Sequence, residues 1–162
     1  DGPEETRQAD LGDVDGDGDL DLLFANVRAF VEGADPSNRL LLNDGAGSFT
    51  EAGPDRLPAD EDRSFHGGFL DVDGDGDLDV VTANSTVDLE RGRIDPAPYR
   101  VYRNDGDGGF REATDRVFPD GTTGVGFDVE QADVDGDGAP DLFLASRGTA
   151  DRLLVRETAG GG

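Results

Sequence analysis

The chain contains no cysteine, methionine, tryptophan or lysine, and one histidine, His66. Without cysteine there is no disulfide framework, and the redox compartment leaves no trace in the sequence. His66 has neither a cysteine nor a second histidine to join it in ligating a metal or activating a nucleophile. No apolar run approaches the roughly 20 residues that span a bilayer, and no signal-peptide pattern occurs. Because methionine is absent, Asp1 is not a translation start, and a mature form or an excised piece is expected. Basic charge is scarce: 14 arginines stand against 38 acidic residues, for a net charge of −24. Such a surface repels polyanions, which excludes nucleic acid and membrane insertion as modes of action. A salt-adapted or GC-rich source would account for the lysine-free acidity.

What remains is organised. The 162 residues suffice for one domain of ordinary size. High charge with 34% apolar residues can signal disorder. Here, however, the apolar residues fall in short runs bounded by Gly, Asp and Asn, the pattern of strands and turns.

Three segments repeat: "DVDGDGDLDLLFAN" from Asp13, "DVDGDGDLDVVTAN" from Asp71 and "DVDGDGAPDLFLAS" from Asp133. A second element alternates with them. It reads "NRLLLNDGAGSFTEA" from Asn38, "YRVYRNDGDGGFREA" from Tyr99, and a truncated "DRLLVRET" from Asp151. One repeat therefore reads as two β-hairpins. A strand such as "SFHGGFL" runs into the Asp loop and "LDVVTAN" runs out of it, too short for a helix and rich in β-branched residues. In the second hairpin "RLLLN" and "SFTEA" flank a glycine turn. The linkers "VRAFVEGADPS" and "STVDLERGRIDPAP" carry proline and read as surface loops. The expected fold is all-β, with antiparallel four-stranded blades of the β-propeller type and helix close to nil. Repeat 1 covers residues 1–57, repeat 2 residues 58–118, and a truncated repeat 3 residues 119–162. Propellers close with about four to eight blades, so three repeats predict an incomplete propeller or one completed by oligomerisation.

Within each Asp loop, carboxylates occupy positions 1, 3, 5 and 9. These are Asp13, Asp15, Asp17 and Asp21; then Asp71, Asp73, Asp75 and Asp79; then Asp133, Asp135, Asp137 and Asp141. Alternating carboxylates on a loop curled by glycines at positions 4 and 6 converge on one centre. Hard cations such as Ca²⁺ take six to eight oxygens. Position 7 is Asp19, Asp77 and then Ala139. Since alanine offers only its carbonyl, the main-chain oxygen is expected to serve at all three. Three Ca²⁺ sites are therefore expected. Mg²⁺, which keeps its waters, fits less well. An EF-hand needs a bidentate Glu at position 12, where this chain has Phe24, Thr82 and Leu144.

The pattern D-x-D-G-D-G-x-x-D-L between short strands resembles the FG-GAP and VCBS repeats of integrin α-subunit-like propellers, and "NDGAGSFTEA" is similar to the N-x-G-x-G-x-F segment of VCBS repeats. The resemblance implies calcium at positions 1, 3, 5 and 9 with the position-7 carbonyl. It also implies an extracellular, cell-surface or periplasmic setting and a non-catalytic role in adhesion, scaffolding or protein or carbohydrate interaction. It departs in repeat number, since such propellers usually have about seven blades.

The alternative is a carbohydrate-processing domain, for which Glu51, Glu90 and Glu112 lie outside the metal loops without special context. His66 on its predicted strand reads as structural, and with Ser64 and Asp62 it makes no triad, since no nucleophile elbow is present. Asp105 and Asp107 read as a plain turn rather than a minor cation site. Arg39, Arg100 and Arg152 recur in register, which suggests pairing with neighbouring acids. The missing blades predict self-association, as a homodimer or another closed assembly giving about six blades, or else the remainder of a longer propeller.

Overall fold

The structure, a computed structural model, describes residues 2–59, 63–88, 90–118 and 122–157. It is all-β, with antiparallel sheets, none of them closed. The first sheet is a meander of β1 (Thr6–Gly12), β2 (Asp21–Asn26), β3 (Arg39–Asn43) and β4 (Phe49–Glu51). The second repeats that meander with β5 (Ser64–Leu70), β6 (Asp79–Asp88), β8 (Arg100–Asn104) and β9 (Phe110–Glu112), and adds two strands. These are β7 (Arg93–Pro98), which pairs with the far end of β6, and the short β10 (Thr123–Gly124), which pairs with β7. The third sheet has β11 (Gly126–Ala132), β12 (Asp141–Ser146) and β13 (Arg152–Leu154). The helix α1 (Thr114–Val117) is a single turn. Among the described residues no helix is long and apolar enough to cross a membrane.

One expectation is corrected. The segment from Ser85 to Pro98 is a hairpin arm and not a surface loop: Ser85 lies opposite Pro96, and Val87 opposite Ile94. β-branched residues facing each other across a turn at Gly92, whose φ is +61°, outweigh the prolines. The other linker, between β2 and β3, carries no strand beyond a bridge from Asp35 to Glu4.

Side chains alternate across each strand, and this divides the interior between two cores. Val80 joins Val14, Leu23, Leu40, Phe69 and Tyr102 between the first and second sheets. Its neighbour Val81 points the other way, joining Val72, Val101, Val129, Leu142 and Leu144 between the second and third. The middle strand β6 is therefore buried continuously from Asp79 to Ser85, as a strand covered on both faces must be. At ~1.5–3 kcal/mol for each fully buried aliphatic side chain, these two seams supply most of the apolar driving force. A buried asparagine stands at the same place in the outgoing strands β2 and β6, five residues past the position-9 aspartate. Asn26 accepts from the Thr6 hydroxyl at 2.8 Å and Asn84 from the Ser64 hydroxyl at 2.8 Å, which fixes each incoming strand to its partner.

Candidate metal centres

All three Asp loops join the first strand of a sheet to its second and have one conformation. The position-1 carboxylate is their hub. Asp13 accepts N–H bonds from Gly16 at 2.9 Å and Gly18 at 3.0 Å. Asp71 accepts from Gly74 at 2.7 Å and Gly76 at 3.1 Å, and Asp133 from Gly136 at 2.7 Å and Gly138 at 3.0 Å. The glycines hold φ between +72° (Gly16) and +96° (Gly76), a region a side chain disfavours. The position-5 carboxylates of Asp17, Asp75 and Asp137 close the next turn by accepting the N–H of position 7.

This curl brings carboxylates together. Ligand atoms of Asp13, Asp15 and Asp17 lie within 4.8 Å of one another, as do those of Asp71, Asp73 and Asp79, and those of Asp133, Asp135 and Asp141. Positions 1 and 3 thus converge in every loop, while the third member differs. Position 7 stays outside these groups. A Cβ built on Gly45 would meet the Asp19 carboxylate at 2.3 Å, and one on Gly106 the Asp77 carboxylate at 2.9 Å. Both position-7 side chains therefore lean on the turn of the second hairpin, where Ala139 has nothing to offer.

Position 9 does more than its spacing indicates. Asp21 accepts from the Val14 N–H at 3.0 Å and the Asn43 N–H at 2.9 Å. Asp79 accepts from Val72 at 3.0 Å and Asn104 at 2.8 Å, and Asp141 from Val134 at 2.8 Å and Arg156 at 2.7 Å. Each of these buried carboxylates ties the loop to the end of the third strand. Asn43 and Asn104 were missed in the sequence pattern, although both open the Asn-Asp-Gly turn of the second hairpin. Asn104 also donates to the Val14 carbonyl at 2.6 Å, and Arg156 to the Val72 carbonyl at 3.2 Å. Each sheet therefore grips the Asp loop of the sheet before it.

The electrostatics are those of a crowded anionic centre. Burial, and then repulsion from Asp17 and Asp21, raises the pKa of Asp15. Burial also raises Asp73, with Arg103 opposing and Asp75 and Asp71 reinforcing. Burial pushes Asp79 up to about 6 despite its two backbone N–H bonds. Asp75 is lowered instead, by the Asp77 N–H and by Arg103. Among the described residues, the Oδ1 atoms of Asp15 and Asp73 are buried without a hydrogen-bond partner. Both belong to position 3. An all-oxygen donor set with buried unpaired carboxylate oxygens and crowded like charge, offset in the second loop only in part by Arg103, fits a hard divalent cation.

Most of the remaining candidate residues have structural partners. His66 accepts the Val129 N–H at Nδ1, 3.2 Å away, and faces Asp128 with Nε2 at 3.2 Å, joining the second sheet to the third. Ser64 sits between Asn38 and Asn84, and Asp62 lies outside the described residues. Asp105 pairs with Arg111, and Asp107 accepts the Gly109 N–H. Arg39 holds Glu51 at 2.6 Å and also pairs with Glu4, Glu112 accepts the Thr114 N–H, and Glu90 is exposed. Arg100 also has a partner, while Arg152 lies exposed on β13.

No curated protein matches the chain. The family model of the FG-GAP-like repeat matches residues 13–82 and 84–144, each match opening or closing on the loops and strands just described. With most of its length so matched, the chain belongs to the FG-GAP-like repeat family.

Proposed function

We propose that this chain is a non-catalytic, calcium-binding propeller module, its three sheets serving as blades and its three Asp loops as Ca²⁺ sites. The observation that carries the reading is the pair of buried, unpartnered position-3 oxygens on Asp15 and Asp73, two carboxyl groups whose pKa values burial raises. A cation supplies what those oxygens lack. Positions 1, 3, 5 and 9 are the proposed side-chain ligands: Asp13, Asp15, Asp17 and Asp21, with Asp71, Asp73, Asp75 and Asp79, and with Asp133, Asp135, Asp137 and Asp141. The carbonyls of Asp19, Asp77 and Ala139 complete each set. The ion's chemistry is electrostatic: it offsets the repulsion within the loop and holds the first strand, the second and the end of the third together.

Such a module presents a rigid acidic surface, suited to extracellular adhesion, scaffolding or protein or carbohydrate interaction. The setting rests on family membership. The test is calorimetric titration of chelator-treated protein with Ca²⁺, followed by thermal melts. Binding at 100 times the dissociation constant adds ~2.7 kcal/mol per site to stability, so the melting temperature should rise clearly with Ca²⁺. A melt unchanged between chelator and Ca²⁺ would sink the reading.

A further inference from the structure

The three position-9 carboxylates are joined by a continuous run of hydrogen bonds. It starts at Asp21, whose Oδ2 accepts the Val14 N–H, and leaves Val14 through its carbonyl, which accepts from Nδ2 of Asn104 at 2.6 Å. The backbone N–H of the same Asn104 reaches Asp79 Oδ1 at 2.8 Å, and Asp79 Oδ2 takes the Val72 N–H at 3.0 Å. The Val72 carbonyl then accepts from Nη1 of Arg156 at 3.2 Å, and the Arg156 N–H reaches Asp141 Oδ1 at 2.7 Å. Asp21, Asp79 and Asp141 are all buried, and bonds in such surroundings polarise one another more than in water.

Both crossings between sheets have the same design. The acceptor is the carbonyl of position 2, Val14 or Val72, which stands between the converging carboxylates of positions 1 and 3. The donor residue serves its own loop with its backbone and the preceding loop with its side chain. Asn104 and Arg156 differ in chemistry yet fill this one place, and Arg156 donates to the Asp73 carbonyl as well. Because Arg156 holds Asp141 through its backbone, a change of its side chain cuts the crossing and leaves the third loop's own bond in place.

We propose that the three Asp loops bind their cations cooperatively, each occupied loop tightening its neighbours, with Asn104 and Arg156 as the positioning residues that carry the coupling. The inference rests on the calcium reading and adds the dependence of one site on another. An empty loop is loosened by repulsion among its carboxylates. A cation that gathers positions 1 and 3 fixes the residue between them and aims its carbonyl at the donor across the seam. The donor residue is then held, and its N–H holds position 9 of the following loop. By linkage the same factor acts in both directions.

The test is a Ca²⁺ titration of the whole, chelator-treated chain followed by amide NMR, which reads each loop separately. The N–H groups of Gly16 and Gly18 report on the first loop and those of Gly136 and Gly138 on the third, since each donates to a position-1 carboxylate. Asp75→Asn weakens the middle loop, and the Ca²⁺ midpoints of both neighbours should then rise about fivefold or more. In an Arg156→Ala background the third loop should no longer respond to Asp75→Asn, while the first loop still does. Asn104→Ala should do the converse, although Asn104 also accepts the Gly106 and Gly108 N–H groups; if that variant does not fold, Arg156→Ala decides alone. A purely structural role for Arg156 would lower affinity equally with and without Asp75→Asn, and that result would overturn the proposal. Neighbouring midpoints unmoved by Asp75→Asn would overturn it too. Three loops that bind Ca²⁺ independently refute only the coupling, whereas loops that show no Ca²⁺ response refute the calcium module itself.

Discussion

Arg103 donates from Nη2 to the Asp75 carboxylate at 2.8 Å and also pairs with Asp73, so the second Asp loop carries a guanidinium of its own. The matching residue is Leu42 in the first repeat and Val155 in the third. The loops are therefore unequal. Arg103 engages the carboxylates at positions 3 and 5 and repels an incoming cation. Arg103→Leu should tighten Ca²⁺ binding at this loop about fivefold, equivalent to the ~1 kcal/mol of a partly exposed ion pair. Calorimetric titration of parent and variant measures this; an unchanged or weaker site would contradict it.

Position 9 and position 5 should fail in different ways. Asp79→Asn turns an amide donor toward the Val72 or Asn104 N–H that the carboxylate now satisfies. It should cost ~2–4 kcal/mol even in chelator, because a buried donor loses its acceptor. Asp75→Asn, on the exposed rim, should change the chelated melt by no more than ~1 kcal/mol while weakening Ca²⁺ binding. Equal losses in chelator from the two variants would refute this division of labour.

Glu5 sets an acid limb of stability. Its carboxylate accepts N–H bonds from Ala29, Phe30 and Val31 and pairs with Arg7. Burial pushes its pKa up, but those bonds and Arg7 outweigh it, and the group lies below 4.5. The folded state then binds fewer protons than the unfolded one, so stability rises with pH in this window. The contribution is fully present above about pH 4.5 and lost as pH falls through the lowered folded value. Glu5→Gln should flatten this limb and cost ~1–3 kcal/mol at neutral pH, read from denaturant melts between pH 3 and 7. A limb as steep in the variant as in the parent would assign it to other carboxylates.

Gly126 brings the backbone of the third sheet against that of the second. A Cβ there would stand 2.8 Å from the Ala83 carbonyl carbon and 2.9 Å from the Asn84 nitrogen. Gly126→Ala should cost ~1–3 kcal/mol, since neither backbone atom can give way without moving the sheet. Gly53→Ala, with no atom within 4 Å, should stay within ~0.5 kcal/mol. Similar melts for the two variants would show that the seam accommodates the methyl.

The strands on either side of the Asp loops are legible in the sequence because local signals agree: "SFHGGFL" coincides with β5 and "RLLLN" with β3. Positions 1 and 3 are legible for the same reason, since alternation along a tight loop is enough to make them converge. The arm formed by β6 and β7 is hidden by Pro96 and Pro98, which signal a break where pairing between Val87 and Ile94 prevails. The clamp at position 9 is hidden by distance, for Asn43 and Asn104 lie 22 and 25 residues beyond their carboxylates. Arg103 could not be read at all, because it breaks the repeat and its role depends on a neighbour that only folding supplies.

The grip of Asn104 on Val14, and of Arg156 on Val72, makes each loop the bearing on which the following sheet turns. Whatever sets the stiffness of the loop then sets the play in the joint. On the proposed calcium-binding role, dissolved divalent cations would tune mechanical compliance: a loaded molecule would transmit force across its seams, and a depleted one would yield there first.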